Sequence, residues 1–326
     1  MTLRAPFPYF GGKRRAAEAI WRGLGADVPN YVSPFCGSLA VELARPGGAG
    51  KIETVNDLDC DLANFWRALK FAPDRVASAA DWPVNEADLH ARCARLIETL
   101  PEHRTRMHTD PDYFDPERAG VWCWGQSTAI GGNWMNPKGN NALPRICGWI
   151  RGNGMHAASL PSLGHSGRGV HRKEAGDLFA WMESLAVRLR PVRVACGDWA
   201  RVLSGAVTGA SNSLKNMGMT PCAVLLDPPY PGERKDVYTE DDRTVAFAAR
   251  EWAIENGSDP HFRIALCGYD GDFEMPSDWT VHAWKASGGH ANRNPENQNR
   301  HRERIWFSPH CLPLEQQRTL FAEVAS

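Results

Sequence analysis

An aspartate, two prolines and a tyrosine, Asp227-Pro228-Pro229-Tyr230, directly follow the apolar run 223–226. A short apolar run bounded by turn residues is typical of a buried parallel strand, and the prolines require the strand to stop at Asp227. The motif then presents a carboxylate, a carbonyl and an aromatic ring at a strand's carboxyl end, where open α/β sheets bind ligands. These groups suit an exocyclic amino group on a flat ring. The alternative is a strand-ending turn with a capping aspartate.

Two glycine-containing segments near the amino terminus suit close approach of the backbone to a ligand. Phe10-Gly11-Gly12-Lys13 precedes a helix predicted near Arg15. This segment lacks the spacing of a phosphate-binding loop, and by itself the pattern favours an ordinary loop. Pro34-Phe35-Cys36-Gly37 follows a predicted strand and precedes a helix predicted to begin near Leu39.

Acidic residues follow two further predicted strands. Asp57 ends the second strand, about 20 residues after a glycine turn, which suits a pair of ribose hydroxyls. Asp59 or Asp61 instead suits the N-cap of the following helix, and both roles can hold because the residues differ. A third strand, predicted at 192–196, leads into Asp198-Trp199.

The segment from residue 119 to 173 contains no Asp or Glu, although it carries several cations interleaved with amides and tryptophans, among them Trp122 and Trp124. Cations meet phosphates and amides read base edges, so this composition favours a DNA-contacting surface. The alternative is a long loop whose charge is incidental. A second basic segment, 285–304, fits a DNA contact or a solvated hairpin equally well. The predicted DNA-binding residues are Lys138, Arg145, Arg151, Arg168, Arg172, Lys173, Arg293 and Arg300.

The overall composition is that of an ordinary globular protein, with 326 residues, 43% hydrophobic residues and a net charge of −1. Nucleic-acid binding must therefore come from a local patch. The nine cysteines include no C-x-x-C pair, which predicts reduced thiols in a cytosolic protein and no zinc site. No apolar run approaches the ~18 residues of a membrane span. Residues 1–12 lack the apolar core of a secretory signal.

Taken in order, these segments resemble the Dam-like (alpha-class) DNA adenine N6-methyltransferases. The resemblance covers residues 7–71 and 192–308, and the insertion between them lies where that family keeps its target-recognition domain. We therefore predict a discontinuous catalytic domain, 1–71 and 190–326, and an inserted DNA target-recognition region, 72–189. Two positions depart from the family pattern: Ser33 replaces the usual Glu, and Leu39 replaces a Gly.

The resemblance implies a fold and a cofactor. The fold is α/β, a Rossmann-like methyltransferase with a mostly parallel seven-stranded sheet and an antiparallel strand near one edge. The cofactor is S-adenosylmethionine, with Asp57 on the ribose and Asp198 on the adenine. The cofactor-binding residues that it implies are Phe10, Gly11, Gly12, Lys13, Pro34, Phe35, Cys36, Gly37, Asp57, Asp198 and Trp199.

The resemblance also implies transfer of a methyl group to the 6-amino group of adenine in duplex DNA, after the base is flipped out. Asp227 and the Pro228 carbonyl would accept the amino N–H groups, next to Pro229, and Tyr230 would stack on the base. We expect a cytoplasmic, bacterial or phage-encoded monomer that binds double-stranded DNA and needs neither a metal nor a membrane. The alternatives are methylation of a cytosine 4-amino group or of RNA, and a DNA-binding protein on this fold that has lost catalysis.

Overall fold

A computed structural model describes residues 3–9, 11–110, 112–129, 135, 169–171, 177–211, 218–230, 242–284 and 302–314. Its centre is a seven-stranded sheet with the order β3-β2-β1-β4-β5-β7-β6, in which β7 alone runs antiparallel to its neighbours. The predicted fold class is therefore confirmed. The strands are β1 Asn30–Ser33, β2 Ile52–Asp57, β3 Val192–Cys196, β4 Cys222–Leu226, β5 Phe262–Tyr269, β6 Thr280–Ala283 and β7 Glu303–Phe307.

Helices cover both faces of the central strands. In β4, Ala223 and Leu225 pack with helix α1, whereas Val224 and Leu226 pack with helix α9. This alternation follows from the two-residue period of a strand. The described helices are α1 Ala17–Leu24, α2 Cys60–Phe71, α3 Pro73–Ala80, α4 Glu86–Glu98, α5 Leu100–Thr109, α6 Pro116–Thr128, α7 Leu178–Leu189, α8 Gly205–Thr208 and α9 Asp242–Gly257.

The described part of the predicted insertion shares a core with the first third of the chain. Trp122 of α6 and Met182 of α7 belong to the same apolar cluster as Phe65 and Trp66 of α2. Gly120 lets α6 approach α3 closely, because a Cβ there would lie 2.5 Å from the Val76 carbonyl oxygen. The predicted boundaries of the insertion stay a prediction.

A buried ion network ties α7 to the sheet. Glu53 of β2 accepts from Arg45 at 2.7 Å and from Arg188 at 2.8 Å, and all three side chains are buried. Arg45 also donates to the Val28 carbonyl, and Arg188 to the Glu42 carbonyl. The charges are therefore both paired and hydrogen-bonded, which a buried ion pair requires.

One local prediction was wrong. No α-helix begins near Leu39; the chain turns there and forms a short 3₁₀ helix at Glu42–Ala44. Leu39 has a left-handed φ of 52°, and its fully buried side chain packs into the core, which offsets the backbone strain.

Within the described residues, no helix is long and apolar enough to cross a membrane.

Candidate active site

The site lies where the sheet changes direction. The chain adds β2 and β3 on one side of β1, then returns to place β4 on its other side. The loops after β1 and β4 leave the sheet next to each other at this switch point, where doubly wound sheets bind ligands. They carry Pro34-Phe35-Cys36-Gly37 and Asp227-Pro228-Pro229-Tyr230.

Lys13 joins the amino-terminal glycine segment to the end of β4. Its ammonium lies 2.9 Å from Asp227 Oδ1 and donates to the Gly11 carbonyl at 3.0 Å. It also lies 4.8 Å from the centre of the Tyr230 ring. The Lys13 side chain is 4% exposed and that of Asp227 is 20% exposed, so the carboxylate faces solvent more than its partner does.

Tyr230 connects this pair to the far side of the sheet. Its hydroxyl donates to Glu303 Oε2 at 3.1 Å and lies 3.3 Å from Asp227 Oδ1. Its ring makes an edge-to-face contact with Tyr269, at 4.6 Å between centroids. Tyr230 is buried, whereas Asp227 and Pro229 remain partly accessible. In this conformation the ring face predicted to stack on a base is covered.

The electrostatics of this cluster follow from burial and pairing. Burial lowers the pKa of Lys13, but the charges of Asp227 and the other nearby acidic groups, together with the hydrogen bond to Asp227, outweigh burial and hold that pKa above its usual value. Burial raises the pKa of Tyr230, and the nearby Asp227 charge raises it further. At neutral pH Lys13 is therefore a cation and Tyr230 a neutral hydrogen-bond donor.

A second group of polar atoms lies at the ends of β2 and β3. Asp57 Oδ2 accepts from the Gly37 N–H, and Asp57 Oδ1 accepts from the Asp59 N–H, both at 3.0 Å. Burial raises the pKa of Asp57, and these backbone hydrogen bonds oppose that rise. Asp59 caps α2 by accepting from the Asp61 and Leu62 N–H groups, so the predicted capping role is confirmed and falls to a residue other than Asp57.

Asn56 holds the two neighbouring loops together. Its side-chain amide donates to the Pro34 carbonyl at 3.0 Å and to the Gly197 carbonyl at 2.9 Å. Across the same gap the rings of Phe35 and Trp199 stack, with centroids 5.7 Å apart. The predicted cofactor residues after β1 and β3 are therefore brought together.

Asp198 caps the short 3₁₀ helix Trp199–Leu203 by accepting from the Ala200 N–H. It is exposed, so its carboxylate is accessible to a ligand at this edge of the sheet. Tyr9 packs over Gly37, where a Cβ would lie 2.7 Å from the Tyr9 ring. Gly37 also has a φ of +47°, so this position favours glycine on both counts.

Some predicted residues lie outside the part of the chain that the structure describes: Phe10 and all eight predicted DNA-binding cations. Part of the acid-free segment is described. There, Trp122 and Trp124 are buried core residues of α6, so the inclusion of these two in a DNA-contacting surface was wrong. Their spacing within a helix indicated a core position as readily as a surface.

Sequence reasoning missed Glu303, Asn56 and Tyr9. Glu303 is a lone acid at the start of the antiparallel strand, and nothing in its neighbourhood marks it as a partner of Tyr230. Asn56 precedes Asp57 at the end of β2, and polarity at a strand's carboxyl end was a usable signal. Tyr9 directly precedes the Phe10-Gly11-Gly12-Lys13 segment.

The model of the D12 class N6 adenine-specific DNA methyltransferase family matches residues 9–118. Enzymes of this class use S-adenosylmethionine as methyl donor. The match confirms the family resemblance, the assignment as a DNA methyltransferase and the methyl donor. It includes Lys13, the loop after β1 and Asp57, and it ends before Asp198 and the 227–230 motif. No curated protein matches the chain.

Proposed function

We propose that this chain transfers a methyl group to the 6-amino nitrogen of a flipped adenine in double-stranded DNA. The observation that carries the proposal is the contact between Lys13 and Asp227. It joins the glycine segment of the matched region to the carboxylate of the unmatched 227–230 motif at the switch point of the sheet. Two segments far apart in sequence thus supply one reaction centre.

The cofactor half is assigned to the ends of β1, β2 and β3. Asp57 takes the ribose hydroxyls, because each of its two oxygens keeps acceptor capacity after the backbone N–H groups are bound. The 34–37 turn lies beneath the cofactor, and Trp199 and Asp198 meet its adenine. Lys13, Gly11 and Gly12 lie beside its methionine end. S-adenosylmethionine, when bound, supplies an electrophilic methyl group.

The 6-amino nitrogen of adenine is a poor nucleophile because its lone pair is delocalised into the ring. Asp227 and the Pro228 carbonyl accept its two N–H groups, which favours tetrahedral geometry and directs the lone pair toward the methyl group. Flipping the base costs a few kcal/mol. Orientation of the bound partners can supply about 7–11 kcal/mol of the barrier reduction.

Lys13 holds the Asp227 carboxylate by one oxygen, Oδ1. In our proposal the target amino group uses the accessible part of that carboxylate, and Lys13 fixes its orientation. The Tyr230 ring becomes a stacking surface only when DNA binding uncovers it. The cations of the 119–173 and 285–304 segments are proposed to contact phosphates. Duplex specificity, a monomeric state and a cytoplasmic location stay predictions from the sequence.

The test is Asp227→Asn, measured in single-turnover transfer to duplex DNA and in calorimetric titration with S-adenosylmethionine. Transfer should fall by about 10²–10³-fold, the usual cost of removing one group that stabilises the transition state. Cofactor affinity should stay within about twofold, since Asp57 and the 34–37 turn are untouched. Asp278→Asn, at an exposed turn, is the matched control.

Equal loss of cofactor binding and transfer in Asp227→Asn would contradict the assignment. Digestion of the product and mass spectrometry of the nucleosides identifies the acceptor. N6-methyladenine from duplex DNA supports the proposal. One of the alternatives would replace the proposal if the product were N4-methylcytosine or a methylated RNA nucleoside, or if the protein bound the cofactor without any methyl transfer.

A further inference from the structure

A cluster of two thiols and an imidazole lies beside the candidate site. Cys60 is the first residue of α2, Cys196 is the last residue of β3, and His108 lies in the last turn of α5. The two Sγ atoms are 3.5 Å apart, and Cys60 Sγ is 3.8 Å from His108 Nε2. All three donor atoms lie within 4.8 Å of one another. Among the described residues no other such group of three occurs.

These separations match those of ligands around a tetrahedral metal ion. Zinc–sulfur bonds of about 2.3 Å and zinc–nitrogen bonds of about 2.0–2.1 Å place two sulfurs about 3.8 Å apart, and a sulfur and a nitrogen about 3.6 Å apart. The Sγ–Sγ distance differs from its ideal value by about 0.3 Å, and the distance from Cys60 Sγ to His108 Nε2 by about 0.2 Å. The third pair, Cys196 Sγ and His108 Nε2, lies within 4.8 Å. A disulfide, in contrast, requires the sulfurs to approach to about 2.05 Å. The sulfur–sulfur separation therefore fits two ligands of one ion better than it fits a disulfide.

The surroundings favour thiolate ligands and access from solvent. A cavity of about 270 Å³ next to the cluster is lined by His108, Cys196, Arg67 and Arg201. The two guanidinium groups stabilise negative charge there, and a divalent ion with two thiolates adds no net charge. The cavity leaves room for a water molecule as the fourth ligand.

We propose that Cys60, Cys196 and His108 bind one tetrahedral, thiophilic divalent ion of the zinc type. Binding displaces the thiol protons of Cys60 and Cys196 to solvent, and it leaves the oxidation state unchanged. Soft thiolate ligands with an imidazole select such an ion over calcium or magnesium. The site goes beyond methyl transfer and departs from the expectation that no metal is involved.

The ion would join three elements at the edge of the cofactor site. Cys196 directly precedes Gly197, whose N–H donates to the Asp57 carbonyl at 3.0 Å and whose carbonyl accepts from Asn56. The role of the ion is structural, because the ion links α2, α5 and β3 next to these backbone contacts. The ion does not touch the groups assigned to the reaction.

The experiment uses the full chain, reduced and stripped with a chelator. Zinc is titrated in competition with a chromophoric chelator, and the metal content is measured by mass spectrometry after dialysis. We expect one zinc per chain. Cobalt(II), used as a spectroscopic probe, should give tetrahedral visible bands and a near-ultraviolet thiolate charge-transfer band. This spectrum identifies the donors in the unaltered protein, whatever the variants do to folding.

Cys60→Ser, Cys196→Ser and His108→Gln should each weaken zinc binding by at least about tenfold. The controls are Cys311→Ser and His310→Gln. Cys311 is half-buried, as Cys196 is, and His310 is exposed. Both should bind as the unaltered protein does. Any one of four results would overturn the proposal. These are the absence of stoichiometric zinc, a cobalt spectrum without a thiolate band, an equal loss of zinc binding in the controls, and a Cys60–Cys196 disulfide that persists under reducing conditions.

Discussion

Replacing either Lys13 or Asp227 alone should destabilise the protein, because each replacement leaves one charge in a largely buried place without its partner. The two groups are 2.9 Å apart, with side chains 4% and 20% exposed. At an effective dielectric constant of about 20, Coulomb's law gives an attraction of about 6 kcal/mol at that distance. Desolvation offsets much of this attraction in the intact pair, but the cost of an unpaired buried charge remains.

Breaking a buried ion pair from one side typically costs about 3–5 kcal/mol. We expect Lys13→Met and Asp227→Asn each to lower the free energy of unfolding by an amount near the lower end of that range, since Asp227 keeps some contact with water. The double variant removes both charges together. It should therefore lose no more stability than either single variant.

The assay is urea denaturation of the four proteins, without cofactor or DNA, at equal ionic strength. The double-mutant cycle gives the coupling energy between the two positions. A matched exposed pair, Arg22 and Glu18 on α1, should show coupling of about 0.3–0.5 kcal/mol, as exposed helix pairs do. If the losses at Lys13 and Asp227 simply add, or if each falls below about 0.5 kcal/mol, Lys13 does not hold the Asp227 carboxylate through a buried ion pair.

Four further results are expected. Asp57→Asn should weaken S-adenosylmethionine binding in calorimetry by about 1.5–3 kcal/mol, and an unchanged dissociation constant would reduce Asp57 to a strand-end residue. Because burial raises the pKa of Asp57, ionisation of this carboxyl opposes folding as the pH rises. The melting temperature of the unaltered protein minus that of Asp57→Asn should therefore fall as the pH rises through the carboxyl range, and a rise would refute this sign. Neutralising Arg168, Arg172 and Lys173 together should flatten the slope of log DNA affinity against log salt by up to about 2.7 without changing cofactor affinity, and an unchanged slope would remove these residues from the DNA surface. Gly120→Ala should lower the free energy of unfolding by about 1–3 kcal/mol in urea, because its Cβ meets the α3 backbone at 2.5 Å, and an unchanged midpoint would show that α3 and α6 separate freely.

Local patterns predicted most of the secondary structure. The apolar run before Asp227 formed β4, which ends at Leu226 as the prolines require. The predicted strand 192–196 agrees with the structure residue for residue. These elements were predictable because burial on one or two faces leaves a period in the sequence.

Local reasoning failed where tertiary packing chose the backbone. Leu39 adopts a left-handed φ because its side chain fills a place in the core, and no rule based on neighbouring residues anticipates that compensation. Trp122 and Trp124 lie in an acid-free segment, yet the core formed by α2, α3 and α6 buries both. Composition described their neighbours in sequence, whereas packing selected their neighbours in space.

For the candidate site too, some features follow from the sequence and others only from the tertiary structure. The sequence alone determined the candidate residues: Lys13 after two glycines, Asp57 at a strand end, and Asp227 before two prolines. The tertiary structure alone decided that Lys13 meets Asp227, that Glu303 holds Tyr230, and that Cys60, His108 and Cys196 converge. The physical reason is that residue type and spacing encode local geometry, while the order of strands in the sheet brings distant segments together, and that order depends on the packing of the whole chain.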